Sequence, residues 1–320
     1  MRQALEPTDY PFFDYRRFTF SLGIAAAGSI WLSGSTAARF DPERKTMVVT
    51  GGLLEQAELI HRKMAATLVA ADRTLGDVIR IVRYVMPAAL TDLPRLDALQ
   101  RQTFGPAVLI GTVVVHSLLR PEALIEIEAV ANNGGEHAVE YLPPAFGIDS
   151  AAAWKSATAA IGARSDRILR IAEFTTPAVA TDAGAPPLAT PSLLKVVSPR
   201  QVDASSGVRL DVAIGRGEKP AVIYRAAEGD PAAGDVVEQC REVYERLGRL
   251  LEQAGASLDT VVKTTEFIPP AALAAYRKTG DIRREVFSAP YPAATGVLCE
   301  SLSHRGSMIA VEAIAIAEPG

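Results

Sequence analysis

Two stretches of this chain, DRTLGDVIRIVRYVMPAAL (Asp72–Leu90) and GASLDTVVKTTEFIPPAAL (Gly255–Leu273), carry one pattern at a shift of 183 residues. No gap is needed. Leu75 falls on Leu258, Pro87 on Pro270 and Ala88-Ala89-Leu90 on Ala271-Ala272-Leu273. The same shift lays Glu55-Gln56 on Glu238-Gln239 and Phe104 on Phe287. Self-similarity at a fixed spacing is the mark of duplicated structural units, so whatever this chain folds into is built at least twice.

Each copy has a readable order. FTFSLGIAA and SIWLSGSTA read as a hairpin of strands, with GVRLDVAIG and AVIYRAAEG as their counterparts. A helix follows in each copy. In the second, Val236, Val237, Cys240, Val243, Tyr244, Leu250 and Leu251 form its apolar stripe, and Gly255 suits its C-terminal cap. The strand DTVVKTTEFI, a shorter helix and two closing strands complete the unit. The fold class is α+β, with tandem ββαβαββ units whose helices cover one face of a sheet. Both strand faces carry apolar residues, so the other face must be covered as well.

The stretch between the copies begins NNGG and includes TTPAVATDAGAPPLATP, as a linker would. Yet RSDRILRIAEFTTPA (Arg164–Ala178) matches Ser257–Ala271 at a shift of 93. The expected domains are therefore 1–140, a connecting segment or degenerate partial third unit over 141–200, and 201–320.

Composition narrows the function. Net charge is −4, which excludes a general nucleic-acid binder. The two cysteines, Cys240 and Cys299, are too few for a disulfide framework. Among the four histidines, His61, His116, His137 and His304, no two stand at metal-ligand spacing, so neither a metal nor another cofactor is expected. The first residues lack an apolar core of signal-peptide length, and no apolar run is long enough to span a bilayer; a cytoplasmic protein without a membrane partner is the expectation.

SIWLSGSTA, the Glu-Gln helix, GASLDTVVKTTEFI and the closing IEIEAVA and VEAIAIA, in that order, resemble the Rid family (YjgF/YER057c/UK114) over about Phe18–Ala131 and Gly207–Ala317. The resemblance implies a chorismate-mutase-like fold in which three units pack their sheets into a barrel with ligand clefts between neighbours. Two-unit chains would then associate, most simply as trimers; a genuine third unit would let one chain close its own barrel as a monomer. The resemblance also implies cofactor-free hydrolysis of small enamines or imines to carbonyl compounds and ammonia. An arginine at the start of the penultimate strand would grip a substrate carboxylate, and a glutamate in the last strand would handle the proton. The arginine falls on Gly111 in the first copy and on about Ala294 in the second, neither of which can replace it.

The resemblance places the last-strand glutamate at Glu126. In the second copy Ala310 takes its position, leaving Glu312, the counterpart of Glu128. Glu126 and Glu128 share a strand face, where two close carboxyls raise one another's pKa if the site is dry. Glu126 and Glu312 are the catalytic candidates. Ser33, Ser35, Gly111, Thr112, Glu128, Arg225, Thr295 and Cys299 are the substrate-binding candidates, with Arg225 a possible substitute for the missing arginine. Cys299 with His304 is a weaker nucleophile–base pair, and His116, Arg120 and Tyr15-Arg16-Arg17 are further cleft candidates. The leading function is a hydrolase or deaminase of an enamine, imine or amide-like metabolite. The alternatives are a chorismatase-like enzyme releasing pyruvate, and a non-catalytic small-molecule binder or chaperone.

Overall fold

The computed structural model describes residues 2–135, 137–180, 186–216 and 221–318. Three mixed sheets form, each backed by helices on one side. In the first, β1 (Gly23–Ala26), β2 (Ser29–Leu32), β3 (Val78–Val85), β4 (Leu109–Val114) and β5 (Ile125–Asn132) lie in the order β1-β2-β5-β3-β4. Helices α1 (Leu53–Val69) and α2 (Leu93–Phe104) pack on it.

The middle sheet has β6 (Val139–Tyr141) and β7 (Ala145–Gly147) on one side of β10 (Val208–Gly215), then β8 (Ile168–Thr175) and β9 (Leu193–Val197), with α3 (Ser150–Ile161) behind it. The last sheet runs β11 (Val222–Glu228), β14 (Ala310–Ile316), β12 (Val261–Ile268), β13 (Ala293–Leu298). It is covered by α4 (Val236–Glu252), α5 (Leu273–Tyr276) and α6 (Thr279–Val286).

Two expectations change here. GVRLDVAIG is β10, and it pairs with β8 (Ile171 opposite Val212) instead of opening the last unit. All eight of its residues are buried, as a strand enclosed in mid-sheet requires and an edge strand does not. The boundary expected at 200/201 thus cuts the middle sheet, which is a shortened third layer with its own helix and closing strand. Along α4, Leu247 is fully buried and Leu250 only half, so the stripe runs through Leu247.

The repeated Glu-Gln pair has a local cause. Glu55 accepts from the backbone N–H of Gly52 and Glu238 from that of Asp235, satisfying donors at the helix start. Gln56 bonds the Glu122 carbonyl and the Leu124 N–H; Gln239 bonds the Gly306 carbonyl and the Met308 N–H. Each glutamine therefore clamps its helix to the turn that leads into the closing strand.

The inner faces of the three sheets meet. One apolar cluster joins Val82 and Val113 to Ala172, Phe174 and Leu194 and to Phe267 and Val297. A second joins Trp31 and Val130 to Leu169 and Ala213 and to Val262 and Ile314. Tyr84, Phe174 and Phe267, at matching positions of β3, β8 and β12, group with ring centroids 6.1 Å and 5.9 Å apart. Hairpin tips cross the boundaries: Leu118 pairs with Val297 of the last sheet, and Leu302 of the last unit with Val196 of the middle sheet. One chain thus brings together the three sheets for which association into trimers was expected.

Candidate active site

Strand pairing defines which positions correspond. β3, β8 and β12 each carry one cation at the same place: a shift of 183 lays Arg80 on Lys263, and a shift of 93 lays Arg170 on it. At the position that pairs beside these cations each closing strand carries an acid, Glu128 opposite Val82, Asp211 opposite Ala172 and Glu312 opposite Thr265. Every cation reaches the acid of the next sheet. Arg170 Nε donates to Glu312 at 2.6 Å, Lys263 Nζ lies 3.0 Å from Glu128, and Arg80 lies 3.5 Å from Asp211. The result is an alternating ring of charge inside the barrel. Burial raises the Glu128 carboxyl, but Lys263, the Thr295 hydroxyl and Arg80 outweigh it and hold Glu128 below its ordinary range.

Two residues along each closing strand the symmetry breaks. Opposite Tyr84, Phe174 and Phe267 stand Glu126, Arg209 and Ala310 respectively. Only the first of these positions carries an acid.

Glu126 sits where the first sheet meets the last. The chain turns out of β2 through Ser33-Gly34, and this turn is stitched to β13. Ser33 Oγ accepts from the Ala294 N–H at 2.8 Å; the Gly34 N–H lies 2.9 Å from the Ala294 carbonyl and 3.0 Å from Thr295 Oγ1. Lys263 Nζ donates to the Leu32 carbonyl at 3.0 Å and to Thr295 Oγ1 at 2.5 Å. The Glu126 carboxyl lies against Gly34, so close that a Cβ there would collide with it.

Glu126 is 6% exposed. Burial pushes its pKa up to about 8; Lys263, Lys63 and the Gly296 N–H pull it down and Glu128 adds to the rise. Lys63, on the buried stripe of α1, donates to the carbonyls of Thr36 and Ala38 and lies over the rings of Phe12 and Phe13 at 5.8 Å and 5.2 Å. Burial brings its pKa down to about 7 against the opposing pull of Glu126. An acid and an amine that both change charge close to neutrality suit proton transfer.

The other two seams differ. Between the middle and first sheets, Arg209 replaces the acid. Its guanidinium grips Asp211 with two bonds of 2.7 Å, donates to the Thr112 carbonyl, and comes within 2.8 Å of where a Cβ on Gly111 would stand. Between the last and middle sheets, Ala310 offers no polar group.

Comparison with known proteins adds the family. The family described as Endoribonuclease L-PSP matches residues 222–317. A RutC family protein of Pyrococcus abyssi is 36% identical over 90 residues, covering 28% of this chain and 68% of that protein. The chain belongs to the Rid family. Other relatives of this Rid protein include the 2-iminobutanoate/2-iminopropanoate deaminases of human (29% identical, 29% of this chain, 66% of the relative) and mouse (31%, 29%, 67%). Among solved structures, a Rid protein of unknown function from Yersinia pestis is 19% identical with a TM-score of 0.34, covering 41% of this chain and 99% of that one.

The register revises where the Rid arginine would stand. Ile110 lies opposite Ile81, Leu193 opposite Ile171 and Ala294 opposite Thr264. The first-copy position is therefore Ile110 and not Gly111, because the link into β4 is one residue shorter than the link into β13. None of the three is an arginine.

The remaining candidates scatter. Glu312 is buried and paired through Oε1 with Arg170, away from the Glu126 seam. Ser33 Oγ is used in the seam, donating to the Ser21 carbonyl at 2.6 Å, whereas Ser35 is half-buried beside Glu126's partner Thr36. Thr295 donates to Glu128 at 2.6 Å and lies, like Glu126, against Gly34; Thr112 is taken by Arg83 at 2.6 Å. Arg225 donates to the Leu250 and Tyr224 carbonyls and so cannot stand in for the missing arginine at this seam. Cys299 is buried in the inner core, which raises its thiol pKa, and His304 lies beside Glu228, so they form no nucleophile–base pair. His116 pairs with Glu300 at 2.9 Å on the surface.

Gly34 supplies a prediction. A methyl group there meets Glu126 and the Thr295 side chain, the latter at 2.8 Å, and both are tied into the barrel wall. Gly34→Ala is expected to lower the denaturant midpoint by the equivalent of about 1–3 kcal/mol, the usual cost of overpacking, and to shift the pKa of Glu126. Isotope-edited infrared spectroscopy of the carboxyl band would read that shift.

Proposed function

We propose that this chain hydrolyses a small imine at the seam between the first and last sheets, with Glu126 as the proton-transferring group. The observation that supports this reading is a buried carboxyl whose pKa is raised to about 8, at the one of three equivalent positions that carries an acid. At neutral pH Glu126 is protonated. It gives its proton to the imine nitrogen, and the resulting carboxylate takes a proton from the water that attacks the imine carbon. The carbinolamine then collapses to a carbonyl compound and ammonia, so one water is consumed for each ammonia released. The relatives named as imine deaminases support the reaction class.

The substrate reading follows from Ala294. With no guanidinium there, the seam lacks the fork that a substrate carboxylate needs, while Lys63 and Lys263 are already bonded to carbonyls and to Glu128. The substrate is therefore an imine without a carboxylate next to its C=N bond. Imines of both kinds can be made in situ, by an amine oxidase and by an amino-acid oxidase. Faster ammonia release from the carboxylate-free imine is expected; preference for 2-iminobutanoate would overturn the substrate assignment. Thermal stabilisation by such compounds without any turnover would favour a binding protein instead.

A single chain with three sheets and one acid seam works as a monomer on this reading. Sedimentation equilibrium is expected to give one species of 34.0 kDa, and a mass three times larger would refute the monomer.

A further inference from the structure

The charge ring pairs Arg80 less closely than its other two cations, and it does so beside a cavity. A space of about 20 Å³ opens on the barrel axis, lined by Arg80, Arg170, Lys263, Glu128, Glu312 and Trp31 among others. That lining holds three cations against two carboxylates. Asp211, the third acid, is turned away by Arg209, which takes both of its oxygens at 2.7 Å and leaves Arg80 a single 3.5 Å approach. Otherwise the Arg80 guanidinium lies over Tyr141, 4.5 Å from its centroid. The indole of Trp31 is 1% exposed, and among the described residues its Nε1–H has no acceptor. A buried N–H without a partner is rare and costly.

Arg80, whose one ion pair is long, and Trp31, whose indole N–H has no partner among the described residues, both line this cavity. We propose that the cavity is a binding site for a small monovalent inorganic anion of halide size, held by Arg80 and Trp31. The volume is on the scale of one small ion. The cavity is not sealed, since Arg80 and Glu128 each keep 14% of their side-chain surface. The anion completes the ring that joins the three sheets, so the Arg209–Asp211 grip in one seam creates the site on the axis. This proposal is independent of imine hydrolysis.

The test uses bromide as the probe. The chain has two tryptophans, so Trp154→Phe leaves Trp31 as the only reporter. At constant ionic strength balanced with gluconate, bromide is expected to quench Trp31 fluorescence saturably. Arg80→Gln is expected to weaken that binding about tenfold or more, the loss of one charge-assisted hydrogen bond. In crystals grown in bromide an anomalous peak is expected between Arg80 and Trp31, a readout that survives if Arg80→Gln does not fold. Non-saturable quenching unaffected by Arg80→Gln, or a cavity holding only water in bromide crystals, would overturn the proposal.

Discussion

Replacing Glu126 with glutamine is expected to lower kcat for imine hydrolysis by about a hundred- to ten-thousand-fold, the usual worth of a positioned acid–base group. Glutamine keeps the volume and polarity of the side chain, so the seam with Gly34 and Thr295 should persist. Folding is a separate readout with its own sign. In the native protein the Glu126 pKa stands at about 8 against an ordinary 4.5, so the native state holds its proton more tightly than the unfolded chain does. Its carboxyl therefore costs no stability below about pH 4.5, and an increasing amount as pH rises from there through about 8. Glu126→Gln removes this cost, and the variant should unfold at higher denaturant than wild type at pH 8, with the difference fading towards pH 4.5. An inactive variant that is more stable in alkali is the combined signature. Lost activity together with lost stability would mean that Glu126 only holds the seam.

The second large effect belongs to the ring. Glu312→Gln leaves the Arg170 guanidinium, with 9% of its side chain exposed, without its 2.6 Å anion. Breaking one partner out of a buried ion pair costs about 3–5 kcal/mol, and urea unfolding should show a loss of that size. Replacing both groups, Arg170→Met with Glu312→Leu, should recover much of the loss, because two apolar side chains need no counter-charge. The double variant then separates the worth of the pair from the penalty of an orphaned charge. If the single and double variants were equally destabilised, packing rather than charge would hold this junction. Each ring pair bridges two sheets, so this experiment also probes how the three are held in order around the axis.

Local patterns were legible in the sequence; pairings between distant segments were not. The repeat, the helix starts at Glu55 and Glu238, and the strands IRIVRYV and VVKTTEFI could be read because each depends on neighbours a few residues away. Arg80, Arg170 and Lys263 stand in register under the two shifts, a basic residue at the same place in three strands, which is the available sign of a ring. Their acids lie far away in the chain; Arg170 and Glu312 are separated by 142 residues, and only strand order brings them together. The strand Val208–Gly215 was misplaced for the same reason: its alternation suits an opening hairpin or a closing strand equally, and burial on both faces decides between them.

At the candidate site, the resemblance points to Glu126, and Lys63 is not among the residues it names. The sign of Lys63 was a basic residue on the apolar stripe of α1, between Ile60 and Thr67, a position where lysine ordinarily costs stability. The arginine position slipped by one residue because a shortened link into β4 shifts the register without changing the motif around it. Arg209 had no counterpart to align with, yet it fills a whole seam.

The pH dependence of kcat for ammonia release from a carboxylate-free imine, measured from about pH 6 to about pH 10 above the spontaneous rate, tests the acid role of Glu126 most directly. The expected profile is flat at low pH and falls with an apparent pKa near 8, and Glu126→Gln has no such limb. A wild-type rate that climbs through pH 8, or a Glu126→Gln profile that matches the wild type, would contradict it.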